Sequence, residues 1–350
     1  MKYILLSIIS VSFMMADIYI SGDARIRPRY DIKENSDGSS TSDLYYLYRA
    51  RLNMKADIGD GWFFSTKLGA NGLAGMTKMG DDFTDAFVYG SGNINSIRPV
   101  VQFNELYFGG MNDKWGFWGG AFPLKSNPAL DIHFYSDKLV DIPFIVYNNS
   151  SITGFAGYET IMGKKLNWFL SVDNNVVEKE EFSDETEAIE DGDNYTLGMD
   201  MFLNFGSISI NPRIMTSSGG TEDDIYPMTY GGDLFLPKLA GFSSSLSYYL
   251  STQGKESDEQ HYEADHMRMS LSKSIKNGKL KFFYDMASKN SDEVSFMWFS
   301  YTYNLYKSEM GEVTISPTLR LQNGKNAGSP DYDKEFSRAK FELTAQIKFK

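Results

Sequence analysis

The chain has 350 residues, a net charge of −12 and a sequence pI near 4.8, a balance that excludes an extended nucleic-acid surface. It has no cysteine, so no disulfides hold it, and beyond residue 16 no apolar run is long enough for a helical membrane span. Aromatics at 15% and 31 glycines fit strands girdled with rings and joined by tight turns.

Residues 1–16, MKYILLSIISVSFMMA, combine a lysine, an apolar stretch too short to span and a terminal small residue, the pattern of a signal peptide cut after Ala16. The rest, 17–350, shows no composition shift or linker and reads as one domain. Strand one, over 17–30, sets Ile18, Ile20, Gly22, Ala24, Ile26 and Tyr30 against Tyr19, Ser21, Asp23, Arg25, Arg27 and Arg29. Slipping it by one residue would turn three arginines to the apolar side, at about 2–4 kcal/mol each at mid-bilayer depth, so the register is well specified. A polar loop is expected at 33–43. A second alternating strand over 44–58 carries Arg49, Arg51 and Lys55 on its polar face, Gly59-Asp60-Gly61 makes a tight turn, and a third strand from Trp62 carries Lys67.

From there the connections alternate in length. Long ones are expected near 33–43, 72–99, 123–150, 174–193, 216–228, 252–261, 288–293 and 322–335, and short ones near 59–61, 111–114, 160–165, 204–206, 236–240, 274–278 and 306–311. Together they join sixteen strands. The strands near 100–110, 115–122 and 150–159 are ambiguous in facing, because Phe103, Glu105, Tyr107 and Trp118 mix the code. Pro212 and Pro317 fall inside strands and predict bulges or widened pairing. The last strand alternates from Glu335 to Lys350, with Ala339, Phe341, Leu343, Ala345, Ile347 and Phe349 opposite Arg338, Lys340, Glu342, Thr344, Gln346 and Lys348. It is longer than a usual soluble strand and suits a tilted span. The predicted fold is all-β, a transmembrane antiparallel up-and-down β-barrel of about 16 strands with short turns at one end and long loops at the other.

The stretches YRARLNMKADIGDGWFFSTKLGAN (48–71) and FNELYFGGMNDKWGFWGGAFPLKSNPALDIHFYSDKLVDIPFIVYNNSSITGFAGYE (103–159) resemble the first and second hairpins of bacterial porin-like outer-membrane proteins. The strand ending in Phe349 resembles the closing strand that the barrel-assembly machinery reads in such proteins, although Lys350 follows it. The resemblance implies a porin in the outer membrane of a diderm bacterium, possible assembly as a homotrimer, contact with outer-membrane lipid and lipopolysaccharide, and passive diffusion of small hydrophilic solutes. It also implies that the loop at 123–150 can fold into the lumen and narrow it.

If the apolar faces meet lipid, Arg25, Arg27, Arg29, Arg49, Arg51, Lys55, Lys67, Arg213, Arg268, Lys281, Arg320, Arg338, Lys340 and Lys348 face the pore. They outnumber Asp23, Asp57, Glu105, Asp200, Asp233, Asp285 and Glu342. A relatively basic wall favours anions. The Arg25, Arg27, Arg29 ladder beside Arg49 and Arg51 is the leading candidate for solute selection, and the competing reading has these arginines pairing with acids to hold the barrel. The apolar loop at 123–150 offers Asp131, His133, Asp137 and Asp141 as a constriction. The acidic runs at 178–193 and 221–224 read as solvated outer loops; Asp191-Gly192-Asp193 lacks the full spacing of a calcium loop. No cofactor is implied. Catalysis has only His133, His261 and His266 to draw on; His261 and His266, read as solvated near a loop end with Glu263 and Asp265, match no catalytic motif. The alternatives to a pore are a loop-presenting adhesin or structural barrel with a blocked lumen, and an export channel for an acidic polysaccharide.

Overall fold

The computed structural model describes residues 17–70, 76–79, 101–124, 127–134, 151–174, 194–219, 227–254, 261–327 and 334–350. Residues 1–16, expected to be a signal peptide, and the acidic runs at 178–193 and 221–224 lie outside these residues. The described chain forms one closed antiparallel barrel. Its strands are β1 Asp17–Asn35, β2 Ser40–Gly59, β3 Trp62–Ala70, β4 Val101–Met111, β5 Trp115–Pro123, β6 Ser151–Ile161 and β7 Lys164–Asn174. β8 is Asn194–Met201 continued by Leu203–Phe205, and β9 Ile208–Gly219, β10 Met228–Leu239, β11 Phe242–Gln253 and β12 Tyr262–Ile275 follow. The circuit ends with β13 Gly278–Lys289, β14 Asp292–Lys307, β15 Gly311–Lys325 and β16 Glu335–Phe349. Each strand pairs with the next, and β16 pairs back onto β1 from Gly22↔Phe349 to Asn35↔Phe336, so the sheet has no free edge.

The two faces of this sheet invert the order of a soluble protein. Ile26, Phe108, Phe299, Phe341, Leu343 and Ile347 are 44–65% exposed on the outside, while Asp23, Arg49, Glu105, Asp285, Arg320 and Glu342 are buried inside. A continuous apolar exterior around a charged interior fits hydrocarbon as the surrounding medium, since a closed barrel satisfies every strand in lipid. Leu343→Arg, on the outer face of β16, therefore costs about 2–4 kcal/mol at mid-bilayer depth. A folding yield in lipid equal to the parent's, read by the heat-dependent gel shift, would refute a lipid-facing position there.

At one end the turns are tight throughout. Asp60-Gly61, Met162-Gly163 and Ala240-Gly241 have both central residues at positive φ, the hairpin geometry whose twist matches that of the strands. The other end departs from expectation at two places. Residues 33–43 are not a long loop: β1 and β2 run through them, with Glu34 opposite Ser40, because continued pairing satisfies backbone groups that a loop would leave to water. Residues 288–293 likewise close as a hairpin between Lys289 and Asp292.

The in-strand prolines behave alike. The β8–β9 ladder is interrupted between Arg213↔Asp200 and Ile210↔Leu203, around Pro212. The β14–β15 ladder is interrupted opposite Pro317, while Pro317 keeps its register with Leu343 on the other side. A proline with no N–H loses the bond on one side only, so the pairing widens without an inserted residue. A bulge at Asn104 explains the ambiguous strand near 100–110. Leu68 faces Phe103 and Lys67 faces Glu105, so Phe103 points out and Glu105 in although both are odd-numbered.

Candidate functional site

Strands β15, β16, β1 and β2 are neighbours across the closure, and their inward positions gather eight cations around three carboxylates. Glu342 receives Arg29 Nη2 at 2.5 Å, Arg320 Nη2 at 2.9 Å and Arg27 Nε at 3.8 Å. Asp23 receives Arg49 Nη2 at 2.8 Å and Arg51 Nε at 2.7 Å. Asp31 takes two bonds from Arg338, at 2.8 and 2.6 Å, with Lys340 Nζ at 3.7 Å. Arg25 donates to the neutral Gln346 Oε1 at 3.1 Å. This cluster carries an excess of five positive charges. Alternation dictates it locally: residues two apart on one strand share a face, and the register sets Arg25 opposite Arg49 and Asp23 opposite Arg51.

On the far half of the wall lies α1, Pro128–Phe134, which belongs to the loop between β5 and β6 and not to a spanning strand. Asn127 caps it, its Oδ1 accepting from Leu130 N at 3.1 Å, and Pro128 follows with its φ already suited to a first turn. Ala129, Leu130 and Ile132 pack on the inward Phe122, Ile152, Phe169, Met215 and Tyr249, an apolar seat inside the barrel. His133 fixes the helix with both ring nitrogens, Nδ1 at 2.7 Å from Thr229 Oγ1 and Nε2 at 3.0 Å from Ser217 Oγ. Thr229 in turn bonds Ser251, and Ser217 bonds Thr196.

Asp131 is 1% exposed. Burial pushes its carboxyl up to about 8, with Asp285 adding to the rise and Arg268 opposing it, and burial alone pushes the His133 imidazole down to about 4. The Asp131 contribution to seating α1 is full below its ordinary value of 3.8 and is lost as pH rises to about 8. The His133 contribution is full above 6.5 and is lost as pH falls to about 4. Of these two groups only Asp131 changes from pH 6.5 to 8, so its effect weakens the seat by about 1.4 kcal/mol per pH unit. Protection factors of the α1 amides should fall over that range and stay level in Asp131→Asn; a parallel fall in the variant would place the titrating group elsewhere.

Other residues singled out in the sequence take separate places. Lys67 pairs with Glu105 across β3 and β4, Arg213 lies 3.5 Å from Asp200, and Arg268 binds Asp285 at 2.6 and 3.2 Å. Lys55 is exposed, with Nζ 5.5 Å from the Phe63 ring centroid, and Lys281 faces inward between Ser272 and Ser300. Lys348 bonds Glu312 at 2.7 Å. Asp137 and Asp141 lie outside the described residues.

His266 corrects the expectation of a solvated loop histidine. It is fully buried in β12, with Nε2 3.0 Å from Asp285 Oδ1, because that strand starts four residues earlier at Tyr262. Asp265 beside it points to the opposite face, so the histidine and acids grouped near this loop end are divided by the wall. Asp31 lies beyond the strand expected over 17–30, although its period-2 place after Arg27 and Arg29 marks it as inward, and β1 in fact runs on to Asn35. The apolar seat had no such signal, since Phe122, Phe169 and Met215 break the rule of polar inward residues.

No family model and no curated protein matches the sequence. Solved structures resemble its fold. An anion-selective porin from Comamonas acidovorans is 11% identical with a TM-score of 0.61, over 95% of this chain and 100% of that one. The outer membrane channel DcaP of Acinetobacter baumannii is 13% identical with a TM-score of 0.56, over 96% and 98%. The trimer form of OmpT, an outer membrane protein of Vibrio cholerae, is 10% identical with a TM-score of 0.53, over 95% and 99%. At these identities the likeness is one of architecture, and with a closed circuit of sixteen strands and a helix on its inner wall, the chain has the fold of the bacterial outer-membrane porins.

Proposed function

We propose that this protein is an outer-membrane channel for passive diffusion of small hydrophilic solutes, with a preference for anions. The observation that carries the reading is the eight-to-three imbalance on β15, β16, β1 and β2, facing a wall that holds α1 in the lumen. Fixed guanidinium groups replace part of an anion's lost hydration, and Arg presents them in a rigid planar fork. In this reading α1, with Asp131 and His133, and the rest of the loop at 123–150, with Asp137 and Asp141, narrow the passage. The wall residues Arg25, Arg27, Arg29, Arg49 and Arg51 select the solute. The trimer form of the Vibrio cholerae neighbour supports assembly as a homotrimer. Reconstitution in a planar bilayer tests the channel directly. Discrete conductance steps are the expected result, and a folded barrel that gives none would favour a sealed, loop-presenting protein.

A further inference from the structure

Lys279 and Lys281 of β13 differ from the cations of the closure cluster. Both face the lumen near the short-turn end, both are exposed, and neither meets a carboxylate or another hydrogen-bond partner among the described residues. The charged groups acting on Lys281 are themselves cations, Lys279 and Lys348, and Lys348 is already bonded to Glu312 at 2.7 Å. The acids further along this wall are taken. Asp285 holds Arg268 and His266, and Glu342 holds three arginines. What stands beside the two lysines is hydroxyl: the register sets Lys281 between Ser272 of β12 and Ser300 of β14, and Lys279 between Ser274 and Thr302. Thr302 accepts from Ser316 Oγ at 3.0 Å, which leaves its own O–H free to donate.

Two like charges two residues apart on one strand share a face and repel, and a dianion between them removes that repulsion. The donors also decide its shape. An ammonium is a point charge with three rotatable N–H groups, without the planar fork with which arginine matches a carboxylate, and the neighbouring hydroxyls add single donors from the strands on either side. We infer that this patch is a binding site for small tetrahedral oxyanions, inorganic phosphate and sulfate: the two ammonium groups balance the charge, and Ser272, Ser300 and Thr302 donate to the remaining oxygens. The site lies apart from the arginine cluster. It rests on the channel reading and deepens it by naming a solute class.

Block of single-channel chloride current tests it, with sulfate, inorganic phosphate and malonate as probes at pH 8. Sulfate and phosphate should block at a concentration about tenfold lower than malonate, a dianion whose charge sits on planar groups, since one charge-assisted hydrogen bond is worth that factor. Lys281→Gln should raise the blocking concentration of sulfate about tenfold, and Lys279→Gln, which removes the other ammonium, by a similar factor. Lys165→Gln makes the same change of charge on β7, where the Nζ lies 3.8 Å from the Tyr158 ring centroid, and should move it by less than about twofold. Ser300→Ala should raise it about threefold, the worth of one neutral donor. Equal block by sulfate and malonate, or a sulfate response that shifts alike in Lys281→Gln and Lys165→Gln, overturns the site while the channel stands. Absence of any current overturns both.

Discussion

Replacing Arg25, Arg27 and Arg49 together by glutamine should lower the anion-to-cation permeability ratio by about tenfold, read as the reversal potential in a salt gradient. Two unit charges 4 Å apart interact by about 1 kcal/mol even in bulk water, so several removed charges multiply into an effect of that order. The substitutions cut the cluster's excess from five positive charges to two. They also spare the fold. Asp23 keeps Arg51, Glu342 keeps Arg29 and Arg320, and among the described residues Arg25 hydrogen-bonds only Gln346. The measurement belongs at low salt, because at 0.1 M the field is screened over about 10 Å. An unchanged reversal potential would make these arginines structural pillars and end the proposed anion preference.

Glu342→Gln should produce the largest loss of stability, about 3–5 kcal/mol, visible as a lower midpoint in heat- or urea-driven loss of the folded gel band. Glu342 is 5% exposed and carries three arginines from two other strands, Arg27 and Arg29 of β1 and Arg320 of β15. Removing its charge leaves those three facing one another at the closure. Asp31 and Asp23 cannot take them over, since each already holds two cations. Adding Arg320→Gln to Glu342→Gln should recover part of the loss by removing one unpaired cation. A midpoint equal to the parent's in the single variant would mean that water or bound anions already neutralise the site.

The same residues explain why the barrel closes where it does. The first and last strands meet through side chains as well as backbone: Arg29 to Glu342, Arg338 to Asp31, Arg27 Nε to Thr344 Oγ1 at 2.8 Å and Arg25 to Gln346. A Cβ at Gly22 would come within 2.5 Å of the Phe349 ring, so glycine there lets the terminal aromatic lie over β1. These contacts join residues more than three hundred positions apart, and a reading of single strands cannot find them.

By itself the sequence determined the barrel class, the number of spanning strands and the facing of most wall residues, because adjacent side chains on a strand point to opposite sides and hydrocarbon tolerates few charges. That rule is local, so Arg25, Arg27 and Arg29 were legible inward and Ile26 outward. Only the tertiary structure decided which carboxylate holds which arginine, that Asn104 bulges, that β1 and β2 run on past residue 33, and that α1 sits on an apolar patch of the inner wall. Each of these depends on what stands opposite, across a neighbouring strand or across the lumen, and period-2 alternation holds no information about partners.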